Sequence, residues 1–155
     1  MKAKELMNKE VVTVEAETPI VEVARLLVEH KVSGLPVVSK RGILKGVVSE
    51  NNLINKIVKP EEPGMKSYIL HGVFHSDEVM KYKEAMNNWK AEKAGDIMSS
   101  PAIAVDVEDD IEKAGQLILD NRIKRVFVTE EEGFLVGVIS RSDFVKLFLE
   151  RAQEE

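Results

Sequence analysis

The chain has no cysteine, which removes disulfides, Cys-ligated zinc, iron–sulfur clusters and thiol nucleophiles together. No apolar run approaches the ~20 residues of a membrane span. The start of the chain lacks the apolar core of a signal peptide, so a cytoplasmic location is expected. There is no glycine-rich phosphate loop ending in Lys-Ser/Thr, no His/Asp/Ser constellation and no metal triad, and an enzyme is therefore not expected. A surplus of positive charge is lacking too. Lys and Arg number 22 against 27 Asp and Glu, a net charge of −5, which argues against a general grip on nucleic acid backbone. What is there has the balance of a globular protein: 155 residues, 44% apolar and 32% charged. A chain of that length buries roughly 68–70% of its unfolded surface and needs no staples.

An internal repeat organises the sequence. A gapless shift of 91 positions lays Met7 on Met98, Val14 on Val105, Ile20 on Ile111, Val37 on Val128, Gly42 on Gly133, Gly46 on Gly137 and Ser49 on Ser140. Glu5–Ile54 against Asp96–Val145 contains 11 identities in 50 pairs, and many other pairs exchange one apolar residue for another. Each copy reads β-α-β-β-α. Val11–Val14 is a short strand candidate. Thr18 and Pro19 are a cap and a first helical position, before Ile20, Val23, Ala24, Leu27 and Val28 at helical spacing. Two strands follow, Leu35–Val38 and Ile43–Val48, with a turn at Gly42 and a closing helix after Ser49. The second copy repeats this with Asp109 or Asp110 as cap, the face Ile111, Ala114, Ile118, strands Val126–Val128 and Phe134–Ile139, and a helix after Ser140. One copy of about 55 residues leaves a sheet face uncovered, so the two are expected to pack together.

Between the copies, at 59–92, lies an insert opened by Pro60, Pro63 and Gly64. Ser76 can cap a helix on which Val79, Tyr82, Met86 and Trp89 form a stripe. That stripe either covers the core or meets a partner. His71 and His75 stand at i, i+4, a spacing that can hold zinc or nickel on a helix. Gly72 lies between them and the helix is expected to begin at Ser76, so no metal is assigned. His30, ending the first helix, is a favourable partner for its dipole.

The ordered signature is Leu6-Met7, a strand, a helix, Val32-Ser33-Gly34-Leu35-Pro36-Val37-Val38, then Gly46-Val47-Val48-Ser49-x-x-Asn52. Its second copy runs Ile97-Met98, a strand, a helix, Ile123-Lys124-Arg125-Val126-Phe127-Val128, then Gly137-Val138-Ile139-Ser140-x-x-Asp143. Order and doubling closely resemble a tandem pair of CBS domains, the module named after cystathionine β-synthase, with repeats at 1–58 and 93–155. The resemblance implies an α/β (α+β) fold in which two β-α-β-β-α repeats pack as a pseudo-twofold pair. It also implies a regulatory module, free-standing in a chain of this length, with clefts between the repeats for adenosine-containing ligands. A homodimer and an unidentified regulated protein are the implied partners; no nucleic acid, membrane or cofactor is. The alternative is a ligand-free dimerisation or interaction scaffold.

Ser140 and Asp143 stand where a strand ends and a helix starts. A helix start suits a phosphate, and the carboxylate can accept from both hydroxyls of a ribose. Without the resemblance, the same pair reads as a helix cap; with it, the position is one that contacts ribose. Ser49 and Asn52 are the first-copy counterparts, and Asn52 lacks the charge that strengthens such a bond. Lys124 and Arg125 match family positions that reach phosphate, and the guanidinium fork suits it. Gly34, Leu35 and Pro36, with Val126 and Phe127, match the strand that holds adenine by backbone and apolar contact. Thr13 and Ala104 match a position that often places a hydroxyl near the ligand. The basic pair favours AMP, ADP or ATP over S-adenosylmethionine.

Overall fold

The computed structural model describes residues 1–64 and 77–153. Its helices are α1 (Ala3–Leu6), α2 (Ile20–His30), α3 (Glu50–Ile57), α4 (Asp77–Lys90), α5 (Ala94–Ile97), α6 (Ile111–Asp120) and α7 (Arg141–Gln153). Its strands are β1 (Gly34–Val38), β2 (Leu44–Ser49), β3 (Ala104–Asp106), β4 (Arg125–Glu130) and β5 (Phe134–Ser140). They gather into two compact units, each drawing on both repeats: Met1–Glu15 with Pro36–Val47 and Ser99–Glu155, and Ala16–Leu35 with Val48–Met98.

The first unit is built on a sheet in the order β3-β4-β5. β3 runs parallel to β4, pairing Ala104 with Phe127 and Val105 with Val128. β4 and β5 are antiparallel, pairing Arg125 with Ser140 and Val126 with Ile139, with a bulge after Val128. Strand alternation sends Val126 and Val128 into a core shared with Ala3, Val105, Ala114, Ile118 and Ile139. Phe127 is buried on the other face. Gly42 and Gly133 turn the two hairpins with φ of 88° and 84°, a region glycine enters without strain.

The second unit holds α2, which buries Ile20, Val23 and Leu27. Val28, expected on that face, is 78% exposed; one residue past Leu27, it has rotated about 100° off a narrow stripe. α2 also begins one residue later than expected, with Pro19 as its cap. Backbone bonds hold the chain there: Ile20 N donates to Glu92 O at 2.9 Å and Ala94 N to Thr18 O at 2.8 Å. α4 packs against α3, and Lys56 Nζ donates to the carbonyls of Trp89 and Ala91 at the end of α4. Val79 is buried and Tyr82, Met86 and Trp89 are half-buried, so the stripe is largely covered. Ser76, His71 and His75 lie outside the described residues.

The strand expected at Val11–Val14 shrinks to a single bridge. Val14 pairs in parallel with Val37, through Val14 N to Pro36 O at 3.0 Å and Val38 N to Val14 O at 2.8 Å. The preceding residues are engaged elsewhere, because Asn8 exchanges both backbone bonds with Val138 on β5, at 2.9 and 3.0 Å. Ser99, the aligned residue of the other repeat, does the same with Val47 on β2, at 2.9 and 3.0 Å. Each repeat thus sends its leading segment onto the last strand of the other.

Candidate functional site

The second repeat gathers its expected residues within the first unit. The β4–β5 register sets Arg125 opposite Ser140, and Arg141 N donates to Lys124 O at 3.1 Å, so the basic pair lies beside the start of α7. Asp143 Oδ2 accepts twice from Ser140, from N at 2.7 Å and from Oγ at 2.6 Å. Ser140 Oγ is also 2.8 Å from Ser142 Oγ. Ser140, Asp143 and Arg125 are half-buried and Lys124 is exposed. Strand alternation puts Ala104, Arg125, Phe127 and Ser140 on one face of the sheet. Val126 points to the opposite face, where its side chain joins the core, leaving only its backbone for a ligand.

The first repeat builds the same device in the second unit. Ser49 ends β2 and caps α3, and Asn52 Oδ1 accepts from Ser49 N at 2.8 Å and Oγ at 3.0 Å. Glu50 N donates to Ser33 O at 3.0 Å, the counterpart of the bond from Arg141 to Lys124. Gly34 and Leu35 are buried beside Ser33. Thr13 and Pro36 belong to the first unit; Thr13 is exposed next to Val14, and Pro36 is buried within β1.

Both repeats therefore close a capping box, in which the side chain at the third helical position returns to its cap. The cap and a ligand role are compatible. Both bonds fall on a single carboxylate oxygen of Asp143, and holding that oxygen fixes where the other one points. Sequence reasoning passed over one pair of residues here. Arg141 and Glu50 are aligned, directly follow the aligned serines and carry opposite charge, a signal that was open in the repeat register. Among the described residues no group of His, Asp or Glu side chains is arranged to hold a metal ion, and no helix is long and apolar enough to cross a membrane.

The family model of the CBS domain matches residues 3–59 and again 94–150. The chain belongs to the CBS domain family. Among its relatives is the uncharacterized protein MJ1426 of Methanocaldococcus jannaschii, 29% identical over 155 residues, which span 96% of this chain and 92% of that protein. Among solved CBS structures, CBSX2 of Arabidopsis thaliana in complex with AMP superposes with a TM-score of 0.78 at 24% identity, covering 96% of this chain and 97% of that one. The CBS domain pair of protein MJ0100, in complex with 5′-methylthioadenosine and S-adenosyl-L-methionine, gives a TM-score of 0.70 at 18% identity, covering 97% and 98%. These likenesses establish the mixed α/β fold of a CBS pair.

Proposed function

We propose that the chain is a non-catalytic regulatory module that binds an adenosine-containing ligand, AMP, ADP or ATP, with repeats at 1–58 and 93–155 and the insert at 59–92 between them. The observation that carries this reading is the pair of hydrogen bonds that Ser140 donates to Asp143 Oδ2, opposite Arg125 and on the sheet face of Phe127 and Ala104. In that reading Asp143 accepts the ribose hydroxyls, Lys124 and Arg125 meet phosphate, and Phe127, Ala104 and the backbone at Val126 flank the adenine. In the first repeat Asn52 takes the place of Asp143 at the ribose, beside Ser49, Gly34 and Leu35. The AMP bound by CBSX2 and the S-adenosyl-L-methionine bound by the MJ0100 pair support adenosine as the shared element. The location is cytoplasmic.

Thermal unfolding with AMP, ADP, ATP and S-adenosylmethionine tests the reading. A ligand at 100 times its Kd adds about 2.7 kcal/mol, which raises Tm by roughly 5–10 °C for a chain of this size. A Tm that none of the four moves would leave the second reading, a dimerisation scaffold. One observation favours dimerisation in either case: Val145, Phe148 and Leu149 on α7 are 68%, 75% and 57% exposed. We infer a homodimer joined through this face.

A further inference from the structure

Arg141 has no part in the reading above, yet its guanidinium is held in place by a backbone carbonyl. It is the first residue of α7. Its Nε donates to Ile123 O at 3.0 Å, and its own N–H bonds Lys124 O at 3.1 Å. The guanidinium is thereby tied to the entrance of β4, one residue before Lys124 and two before Arg125. Among the described residues it makes no ion pair, and the Nε bond leaves both Nη groups to donate. The second repeat therefore carries three cationic residues, Lys124, Arg125 and Arg141, and one carboxylate, Asp143, at the entrance of β4 and the start of α7.

The first repeat makes the same backbone bond, Glu50 N to Ser33 O at 3.0 Å, but with the charge reversed. Its counterparts of Lys124, Arg125, Arg141 and Asp143 are Ser33, Gly34, Glu50 and Asn52, one carboxylate and no cation. A polyphosphate brought there finds a carboxylate residue at the position where the other repeat offers a planar fork of donors matched to phosphate oxygens.

We propose that the residue after the aligned serine sets the charge of the ligand each repeat accepts: Arg141 makes the second repeat selective for a phosphate-rich adenosine nucleotide, and Glu50 makes the first repeat reject one. This rests on the adenosine-ligand reading and specifies it, assigning to the first repeat adenosine compounds that are neutral or cationic at the 5′ side.

Calorimetric titrations with ATP, adenosine and S-adenosylmethionine test it, on the wild type and on Arg141→Glu, Arg141→Lys and Glu50→Arg. The wild type is expected to take one ATP per chain. Arg141→Glu should weaken ATP about tenfold or more, the loss of one charge-assisted contact, with adenosine unchanged within about twofold. Arg141→Lys, which keeps the charge without the Nε bond, should recover most of the ATP affinity, and Glu50→Arg should raise the ATP stoichiometry toward two. Equal losses for ATP and adenosine in Arg141→Glu would reduce Arg141 to a structural strut. Unchanged ATP binding in that variant would also overturn the proposal, while leaving the adenosine-ligand reading standing. If no ligand binds the wild type or Glu50→Arg, both readings fall together.

Discussion

Asp143 and Asn52 occupy the same place in their repeats, and both accept from the N and Oγ of the preceding cap serine. They differ by a charge. A hydrogen bond to a charged group is worth about 1.5–3 kcal/mol and a neutral one about 0.5–1.5. Asp143→Ala should therefore weaken ATP binding by roughly ten- to a hundredfold, and Asn52→Ala should weaken adenosine binding at the first repeat by several-fold less. Calorimetry on the two variants decides; equal losses would mean equivalent repeats, and no loss at Asp143 would return it to capping alone. A second carboxylate reports on the fold itself. Asp109 is held below the ordinary carboxylate range, first by the Lys113 ammonium and then by the backbone N–H of Asp106. A depressed carboxyl stabilises the folded state above its unfolded pKa, about 3.9, and that contribution is lost as pH falls through the folded value. Lys113→Met should raise the Asp109 midpoint followed by carboxyl NMR. An unchanged midpoint would show that the Asp106 N–H suffices.

α5 shows at the scale of one element how the repeats depend on each other. Gly95 N donates to Ala16 O at 2.8 Å, and a Cβ on Gly95 would stand 2.8 Å from Ala16 Cβ and 3.1 Å from its carbonyl oxygen. Backbone cannot yield as a flexible side chain does, so Gly95→Ala should cost about 1–3 kcal/mol and lower Tm by roughly 3–9 °C; an unchanged Tm in thermal melts would show that α5 shifts freely. This contact belongs to the exchange in which α1 bonds the turn before α6, through Ala3 N to Asp109 O at 2.8 Å, while α5 bonds the turn before α2, through Ala94 N to Thr18 O at 2.8 Å. The exchange was not legible in the sequence, because it runs through backbone groups that any residue carries. The elements that periodicity and turn chemistry control were legible: both hairpins, the glycine turns, the apolar face of α6 and the closing helices after Ser49 and Ser140. The first strand was misread because an apolar run of four residues does not say which edge will claim it. Of the candidate site, side-chain chemistry made the Ser140–Asp143 cap legible, while the proposed ribose and phosphate roles of Asp143, Lys124 and Arg125 rest on the resemblance to CBS pairs. The direction of Val126 depended on its strand partners.

For the molecule as a whole, the sequence offered one amphipathic surface for partnership, the stripe on α4. That stripe is largely covered, with Val79 buried and Tyr82, Met86 and Trp89 half-buried, and the end of α4 is fastened by Lys56. The apolar side chains left in water are elsewhere. On α7, Val145, Phe148 and Leu149 fall at i, i+3 and i+4, one continuous strip, while Leu147 between them turns inward at 8% exposure. Three neighbouring side chains more than half exposed form a patch that soluble chains usually cover. A twofold axis can cover it with its own copy, since an isologous contact places the same strip on both sides. The wild type is then expected to scatter light with about twice the 17.4 kDa mass of one chain at micromolar concentration. Phe148→Glu would set a carboxylate into that contact from each side, where a desolvated like-charge pair costs several kcal/mol, and should yield the single-chain mass. Phe148 is 75% exposed, so its own chain loses little packing, and the variant's far-ultraviolet circular dichroism should match the wild type. A wild type that scatters as one chain would remove the homodimer, and a Phe148→Glu variant that stays double would move the contact away from α7.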